Sequence, residues 1–278
     1  MKSRLIAIVS MLALVACEPP REESRFTSAV LAPDGNMGLF VFKRERYYPE
    51  TMGLLTSGRP RKYLVNQSVI GTYDLATGQT RVLQRRDHGN KYVHEREDFQ
   101  LMEVQGSRAL LWGGDGNYHW LDIGSGELTT VPLKEELEAR GRAVGRIHLV
   151  DESGTLVFEN KSLPQSFDTS VPEEMWLRRP SGEYERVSEV PPGFAGYYGF
   201  KDNEVHFYSA ARRAYLIYNL DRRDFRKGDP RQIPSMRRYD AVVDFQVGDH
   251  GSPQPKIGRK VDGKWEYREV QIDTKELR

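Results

Sequence analysis

The stretch RRDHGNKYVHERED, residues 85–98, sets His88 and His94 among Asp87, Glu95, Glu97 and Asp98. Imidazoles and carboxylates are the usual ligands of a divalent ion such as zinc. The six-residue step between the two histidines, however, is not the i, i+4 pair that one helix face would present, nor a recognised close motif. The stretch therefore reads as a charged connection between structural units. His119, His148 and His206 fall inside alternating apolar and polar runs, where histidines are usually structural. GGDGNY, residues 113–118, is rich in glycine but opens no helix, so the cradle that holds a phosphate is missing. The chain has a single cysteine, Cys17, which excludes a cysteine metal cluster and an internal disulfide. No serine stands in a Gly-x-Ser-x-Gly elbow, and GSGE, residues 124–127, reads as a turn. The residues thus identify no catalytic group, metal or cofactor, and leave any enzymatic activity unassigned.

Binding chemistry is better represented. Arg44, Arg46, Tyr47, Tyr48, Arg59, Arg61 and Lys62 crowd one segment, Arg85 and Arg86 a second, and Arg237, Arg238 and Tyr239 a third. Arg140 and Arg142 add to the set. Arginine and tyrosine are enriched at protein interfaces because each combines contact area with directional hydrogen bonds. The plain alternative is solvated arginines paired with Glu45, Glu50 and Glu95.

What could position such residues is a repeat. AVLAPDGNMGLFVFKR reads as strand, Asp-Gly turn, strand, and VIGTYDLATGQTRVLQR repeats that pattern around Thr77-Gly78. Residues 101–133 supply four more short strands, turning at Gln105-Gly106, Gly114 to Gly116 and Ser125-Gly126. Later copies turn at Ser153-Gly154, Ser181-Gly182, Asp202-Asn203 and Asp262-Gly263. Gly and Asn accept positive φ cheaply, and the flanking alternation is the period of a half-buried strand. Gly106, Gly154, Asn203 and Gly251 are 48, 49 and 48 residues apart. A four-stranded propeller blade takes roughly 40 to 45 residues, to which a modest loop can be added.

APDGNMGLFVF and YDLATGQTRVL resemble blades of the TolB-like and WD40-like propeller families. The likeness runs loosely over residues 26–272, with Ala32 where the family has Ser and no clear Trp-Asp signature. It implies an all-β propeller of about five four-stranded blades, with a sixth assembled from the termini as the alternative. In such a blade the first and third turns fall at one end. The second connection and the link to the next blade fall at the other. The short Gly turns are expected at the first end. The long segments, residues 43–67, 85–98, 134–145, 159–173, 191–196 and 228–239, are expected at the second, which becomes the candidate binding face. LKEELEARGR, residues 133–142, reads as a helix entered at Pro132 and left at Gly141, with Leu133 and Leu137 on one face, capping the assembly.

The N-terminus carries an address. Lys2 and Arg4 precede eleven mostly apolar residues, Leu5 to Val15, too few for an ordinary membrane span of roughly 20. Leu14-Val15-Ala16-Cys17 resembles the bacterial lipoprotein signal, in which the cysteine thiol takes diacylglycerol and the leader is cut before it. That resemblance implies residues 1–16 as signal peptide, 17–25 as acylated cysteine and polar tether, 26–272 as propeller and 273–278 as tail. Glu18 replaces the Asp of inner-membrane retention, which favours the outer membrane with the domain facing the periplasm. Loss of the leader moves the formal charge from +1 to −1, so nothing suggests nucleic acid.

Three functions fit: a lipid-anchored interaction module for an envelope protein, a ligand-binding or catalytic propeller acting on an envelope glycan or cofactor, and an immunity-type lipoprotein that neutralises a toxin. All three share the anchor. Cys17→Ser is expected to move the protein out of the membrane fraction of cells, and its retention there would remove the lipoprotein reading.

Overall fold

In the computed structural model the described residues are 19–32, 34–48, 62–91, 98–113, 117–149, 153–162, 174–189, 197–201, 204–209, 213–228, 243–248 and 251–277. They form five antiparallel sheets, each built from strands consecutive in the chain. The first holds β1 (Arg21–Leu31), β2 (Met37–Tyr48), β3 (Lys62–Asp74) and β4 (Thr80–Asp87). The second holds β5 (Gln100–Gln105), β6 (Arg108–Trp112), β7 (Tyr118–Asp122) and β8 (Leu128–Val131). The third holds β9 (Arg142–Leu149), β10 (Leu156–Ser162), β11 (Glu174–Arg178) and β12 (Tyr184–Glu189). The fourth holds β13 (Tyr197–Lys201), β14 (Glu204–Ser209), β15 (Ala214–Asn219) and β16 (Asp224–Lys227). The fifth has three strands, β17 (Val243–Gln246), β18 (Lys256–Val261) and β19 (Lys264–Glu269). The expected all-β repeat is present, although its last unit is one strand short among the described residues.

The glycines explain why the chain reverses where it does. Gly35, Gly78, Gly106, Gly126, Gly154, Gly182, Gly251 and Gly263 all have positive φ, which a side chain tolerates poorly. The strand order corrects one expectation. The β6–β7 connection, which contains Gly114 to Gly116, and the Asp262-Gly263 turn between β18 and β19 each join the second and third strands of a sheet. They therefore lie at the end opposite the first and third turns, so short turns occur at both ends. Gly114 to Gly116 and Asp202-Asn203 themselves lie outside the described residues.

Apolar faces meet between sheets. Leu39, Val41 and Ile70 of the first sheet pack with Ala109, Leu111 and Leu121 of the second. Leu110 and Tyr118 of the second meet Ile147, Leu156 and Phe158 of the third. Val157, Met175 and Leu177 of the third meet Val205, Phe207 and Tyr218 of the fourth. Phe245 and Ile257 of the fifth join Phe26, Phe40, Phe42 and Val69 of the first. Some first strands are neighbours as well, β1 lying beside both β5 and β17 and β5 beside β9. At the end of the first and third turns, the Arg81 guanidinium donates to the Ile123 and Gly124 carbonyls of the next sheet. Arg108 in turn donates to Ser153 O at 2.8 Å.

The expected helix, α1 (Leu133–Glu138), is present, with Pro132 at its N-cap and Gly141 at φ +68° beyond it. Leu133 and Leu137 are buried between the second and third sheets, so α1 is a wedge between them. Glu136 fastens it, accepting from Arg178 Nε at 3.0 Å and Nη2 at 3.1 Å and from the Tyr184 hydroxyl.

Two domain limits change. Residues 21–25, read as tether, are the start of β1, paired with β2 from Arg21↔Tyr47 to Arg25↔Lys43. Residues 273–277, read as tail, are docked. Leu277 is buried in the core shared by the first and fifth sheets, and Arg85 Nη1 donates to its carbonyl at 2.7 Å. Both segments were misjudged for the same reason: their partners lie far away in the chain.

Gly35 and Gly126 separate turn strain from crowding. Both have nearly the same φ, +74° and +78°, but a Cβ at Gly35 would meet nothing within 4 Å, whereas at Gly126 it would lie 2.7 Å from Leu83 O. Gly35→Ala is expected to cost about 1 kcal/mol in chemical unfolding, and Gly126→Ala at least about 2 kcal/mol more. Equal losses would mean that the Leu83 contact is not a constraint.

Candidate functional site

The first sheet outgrows the other four. Its strands have 11, 12, 13 and 8 residues, against four to eight elsewhere. The excess forms an arm, residues 21–26, 42–48 and 62–68, with residues 86–91 along its edge. Where β2 runs beside the second sheet its inward face is apolar, with Leu39 and Val41, but along the arm that face continues as Lys43, Glu45 and Tyr47, all buried. The register sets Lys43 opposite Ser68 and Glu45 opposite Asn66, so these side chains share one face. Arg25 and Glu23 of β1 lie opposite Lys43 and Glu45. The result is a buried polar layer built on three adjacent strands.

Buried charges persist only where they are paired. Lys43 Nζ stands 3.4 Å from Glu45 Oε1, and Arg25 Nη2 3.7 Å from Glu45 Oε2. The Tyr47 hydroxyl donates to Glu23 at 2.5 Å. Asn66 holds the chain beyond β4 by two contacts: its Nδ2 donates to Lys91 O at 2.5 Å, and its main-chain carbonyl accepts from His88 N at 2.8 Å. Tyr63 N donates to Asn90 Oδ1 at 2.9 Å, extending the same seam.

At the base of this layer Ser68, His88 and Asp98 converge. Asp98 is fully buried and Ser68 is 1% exposed. The Ser68 hydroxyl donates to Asp98 Oδ2, which leaves its oxygen to accept from His88 Nε2 at 2.9 Å. The same Nε2 lies 3.5 Å from Asp98 Oδ1, while the Phe99 amide donates to that oxygen at 2.8 Å. These are the residue types of a hydrolytic triad, but the connections differ. A nucleophilic serine hands its proton to histidine, and the acid orients the histidine through its other nitrogen. Here the proton goes to the carboxylate, and both partners meet one imidazole nitrogen. The hydroxyl is also shielded from any substrate. Burial on its own would raise the Asp98 pKa, but hydrogen bonds from His88 and Ser68, the His88 charge and the Phe99 amide together hold it below the usual carboxylate value. The trio is a latch that fixes the start of the second sheet to β3.

The candidate binding residues divide sharply. Arg46 and Tyr48 are exposed at the arm's outer end, where Tyr48 pairs with Lys62 of β3. Leu64, next to the register shift, is 47% exposed. Arg44 is tied to Glu22 at 3.1 Å, and Tyr47 is buried. Arg85 holds the C-terminal residues, while Arg86 lies over the Phe99 ring at 5.0 Å. Arg44, Arg46, Tyr47, Tyr48, Lys62, Arg85 and Arg86 therefore belong to strands and not to loops. The strands run on because their inward face is buried throughout. Arg140 stacks on Tyr184 at 4.5 Å, and Arg142 opens β9. Cys17, Arg59, Arg61, Arg237, Arg238 and Tyr239 lie outside the described residues, as does His94. Asn66 and Ser68 carried no signal in the sequence, because their role comes from cross-strand register. Among the described residues no group of three or more His, Cys, Asp or Glu could hold a metal.

No family model and no curated protein matches the chain. Among solved structures it is similar to an oligogalacturonate lyase in complex with manganese, with TM-score 0.42 and 11% identity over 88% of this chain and 65% of that one. It is also similar to the oligogalacturonate lyase of Vibrio parahaemolyticus, with TM-score 0.42 and 12% identity over 88% of this chain and 68% of the other. Regucalcin, a calcium-binding protein from Agrobacterium tumefaciens, gives TM-score 0.33 and 10% identity over 88% and 71% of the two chains. The chain thus spans just under two thirds of the first of these.

The latch makes stability depend on pH. Because the folded-state pKa of Asp98 lies below the unfolded value of about 3.9, its contribution is in place above that value and is lost as pH falls through the folded-state pKa. Asp98→Asn is expected to cost about 2–3 kcal/mol at pH 7 and to flatten the acid limb of the stability curve. An unchanged acid limb would show that Asp98 does not set it.

Proposed function

We propose that this chain is a lipid-anchored envelope protein whose five sheets are the blades of a β-propeller, and that it acts as an interaction module through the end to which the links between sheets lead. Each sheet is a meander, apolar cores join the fifth sheet to the first, the first to the second, the second to the third and the third to the fourth, and β1 lies beside β5 and β17 and β5 beside β9. Those features support a propeller. Anchoring through Cys17 rests on the lipoprotein-type signal, and Glu18 after that cysteine supports the outer membrane, with the domain facing the periplasm.

The observation that carries a binding role is the division of side chains in the first sheet. The groups with catalytic chemistry, Ser68, His88 and Asp98, are sealed inside as a latch, whereas Arg46, Tyr48 and Leu64 are displayed on the arm that the latch stiffens. A stiff scaffold presenting aromatic and cationic side chains is suited to docking, since little conformational freedom is lost on contact.

Photo-crosslinking tests the assignment of the face. Glu189 and Lys227 are exposed at the last residues of the third and fourth sheets, where the links to the next sheet begin, while Gln79 and Glu183 are exposed in turns at the other end. A photoreactive amino acid at Glu189 or Lys227 is expected to capture one envelope protein in intact cells, and at Gln79 or Glu183 none. Capture from the turn end alone would overturn the face. No protein captured at any of the four positions would overturn the protein-docking function in favour of a propeller that binds an envelope glycan.

A further inference from the structure

We infer that the outer end of the arm is a membrane-contact surface, docking on the anionic phospholipid headgroups of the bilayer into which the Cys17 lipid inserts. This rests on the lipid-anchored reading above and assigns one sector of the binding end to the bilayer.

Chain length comes first. β1 begins at Arg21, four residues after Cys17, and an extended chain spans at most about 3.6 Å per residue, so the first pair of the arm begins within about 14 Å of the Cys17 Cα. That pair is Arg21↔Tyr47, and Tyr47 pairs in turn with Tyr63 while Tyr48 pairs with Lys62. The outer end of β2 and β3 is therefore held at the bilayer surface. A flexible tether of eight or nine residues would have left the domain free to turn away. The strand removes that freedom.

The side chains at this end suit such a surface. Tyr48 and Leu64 are 42% and 47% exposed, and Arg46 is exposed between buried Glu45 and Tyr47. Aromatic rings sit well at the headgroup level, and lysine and arginine near an anionic leaflet are worth about 1 kcal/mol each. Along the arm and its edge, residues 21–26, 42–48, 62–68 and 86–91 contain eight Lys or Arg against four Asp or Glu, although the mature chain as a whole is close to neutral. The arm that leads away from the lipid anchor is thus net positive. The buried ion pairs of Lys43, Glu45 and Arg25 hold the arm's inner face, so its outer end meets the bilayer as a preformed surface.

The test leaves out the lipid, so it stands apart from the anchoring question. Unlipidated mature chain, residues 17–278 with Cys17→Ser, is floated with vesicles of phosphatidylethanolamine and phosphatidylglycerol and, separately, of phosphatidylcholine. Binding is expected to the anionic vesicles only, falling as salt rises. Arg46→Glu and Lys62→Glu should each weaken it about fivefold or more. Tyr48→Ser should weaken it as well, with the thermal unfolding midpoint unchanged in all three. With Cys17 absent, a single cysteine can be placed at residue 48 or 79 and labelled with an environment-sensitive dye. The dye at 48 should shift to the blue on anionic vesicles, and the dye at 79 should not. No binding to anionic vesicles, equal binding to both vesicle types, normal flotation of the charge-reversal variants, or a shift only at 79 would each overturn the membrane contact. None of these outcomes bears on whether Cys17 is lipidated, which fractionation of the Cys17→Ser protein decides separately.

Discussion

Phe26 is where the structure holds its two ends together. Its side chain is fully buried, with the Phe40 ring edge-on at 5.2 Å and the Phe42 ring at 5.0 Å. Its main chain exchanges hydrogen bonds of 2.8 and 2.9 Å with Ser252, on the approach to β18. A three-stranded sheet such as the fifth has little stability alone, and the first sheet exposes a wide aromatic face unless something covers it. The shared core of Phe26, Phe40, Phe42, Phe245 and Ile257 solves both problems at once. Val270, Ile272 and Leu277 complete it, so the last residues of the chain serve the first sheet.

Phe26 also divides β1 into two regimes. On its C-terminal side the strand lies beside β5 and β17 and its neighbours are apolar. On its N-terminal side the inward face turns to Arg25, Lys43, Glu45, Asn66 and Ser68. Such a layer is weak as a source of stability, because desolvation offsets much of what the ion pairs return. It is strong as a source of specificity, because a slip of one residue would bury the exposed Arg46 and Tyr48 and expose the paired charges. The register of the arm is thereby defined by polar contacts, and the Ser68–His88–Asp98 latch carries that definition into the second sheet.

The proposed binding role rests on the same division. Side chains with acid–base chemistry were drawn into the scaffold, and those with contact chemistry were left outside. The arm and the core form one line along β1: the polar layer to Arg25 and the aromatic seam from Phe26 onward. A strand that carries both the polar layer and the central core transmits the orientation of one to the other.

Much of the fold was legible in the residues. The positive-φ glycines, the alternation between them and the spacing of nearly fifty residues all follow from local backbone chemistry, which acts over a few residues wherever the chain is placed. The helix at residues 133–138 was legible for the same reason, with Pro132 before it and Gly141 after it. The roles of Arg44, Tyr47, Arg85 and Arg86 were not. Their partners Glu22, Glu23, Leu277 and Phe99 are 22, 24, 192 and 13 positions away, and only strand register and sheet packing bring them together. The sequence by itself determined the repeating unit and the places where it turns. Only tertiary structure decided which charged side chains became its interior and which remained its surface, because burial is a property of what covers a strand and not of the strand itself.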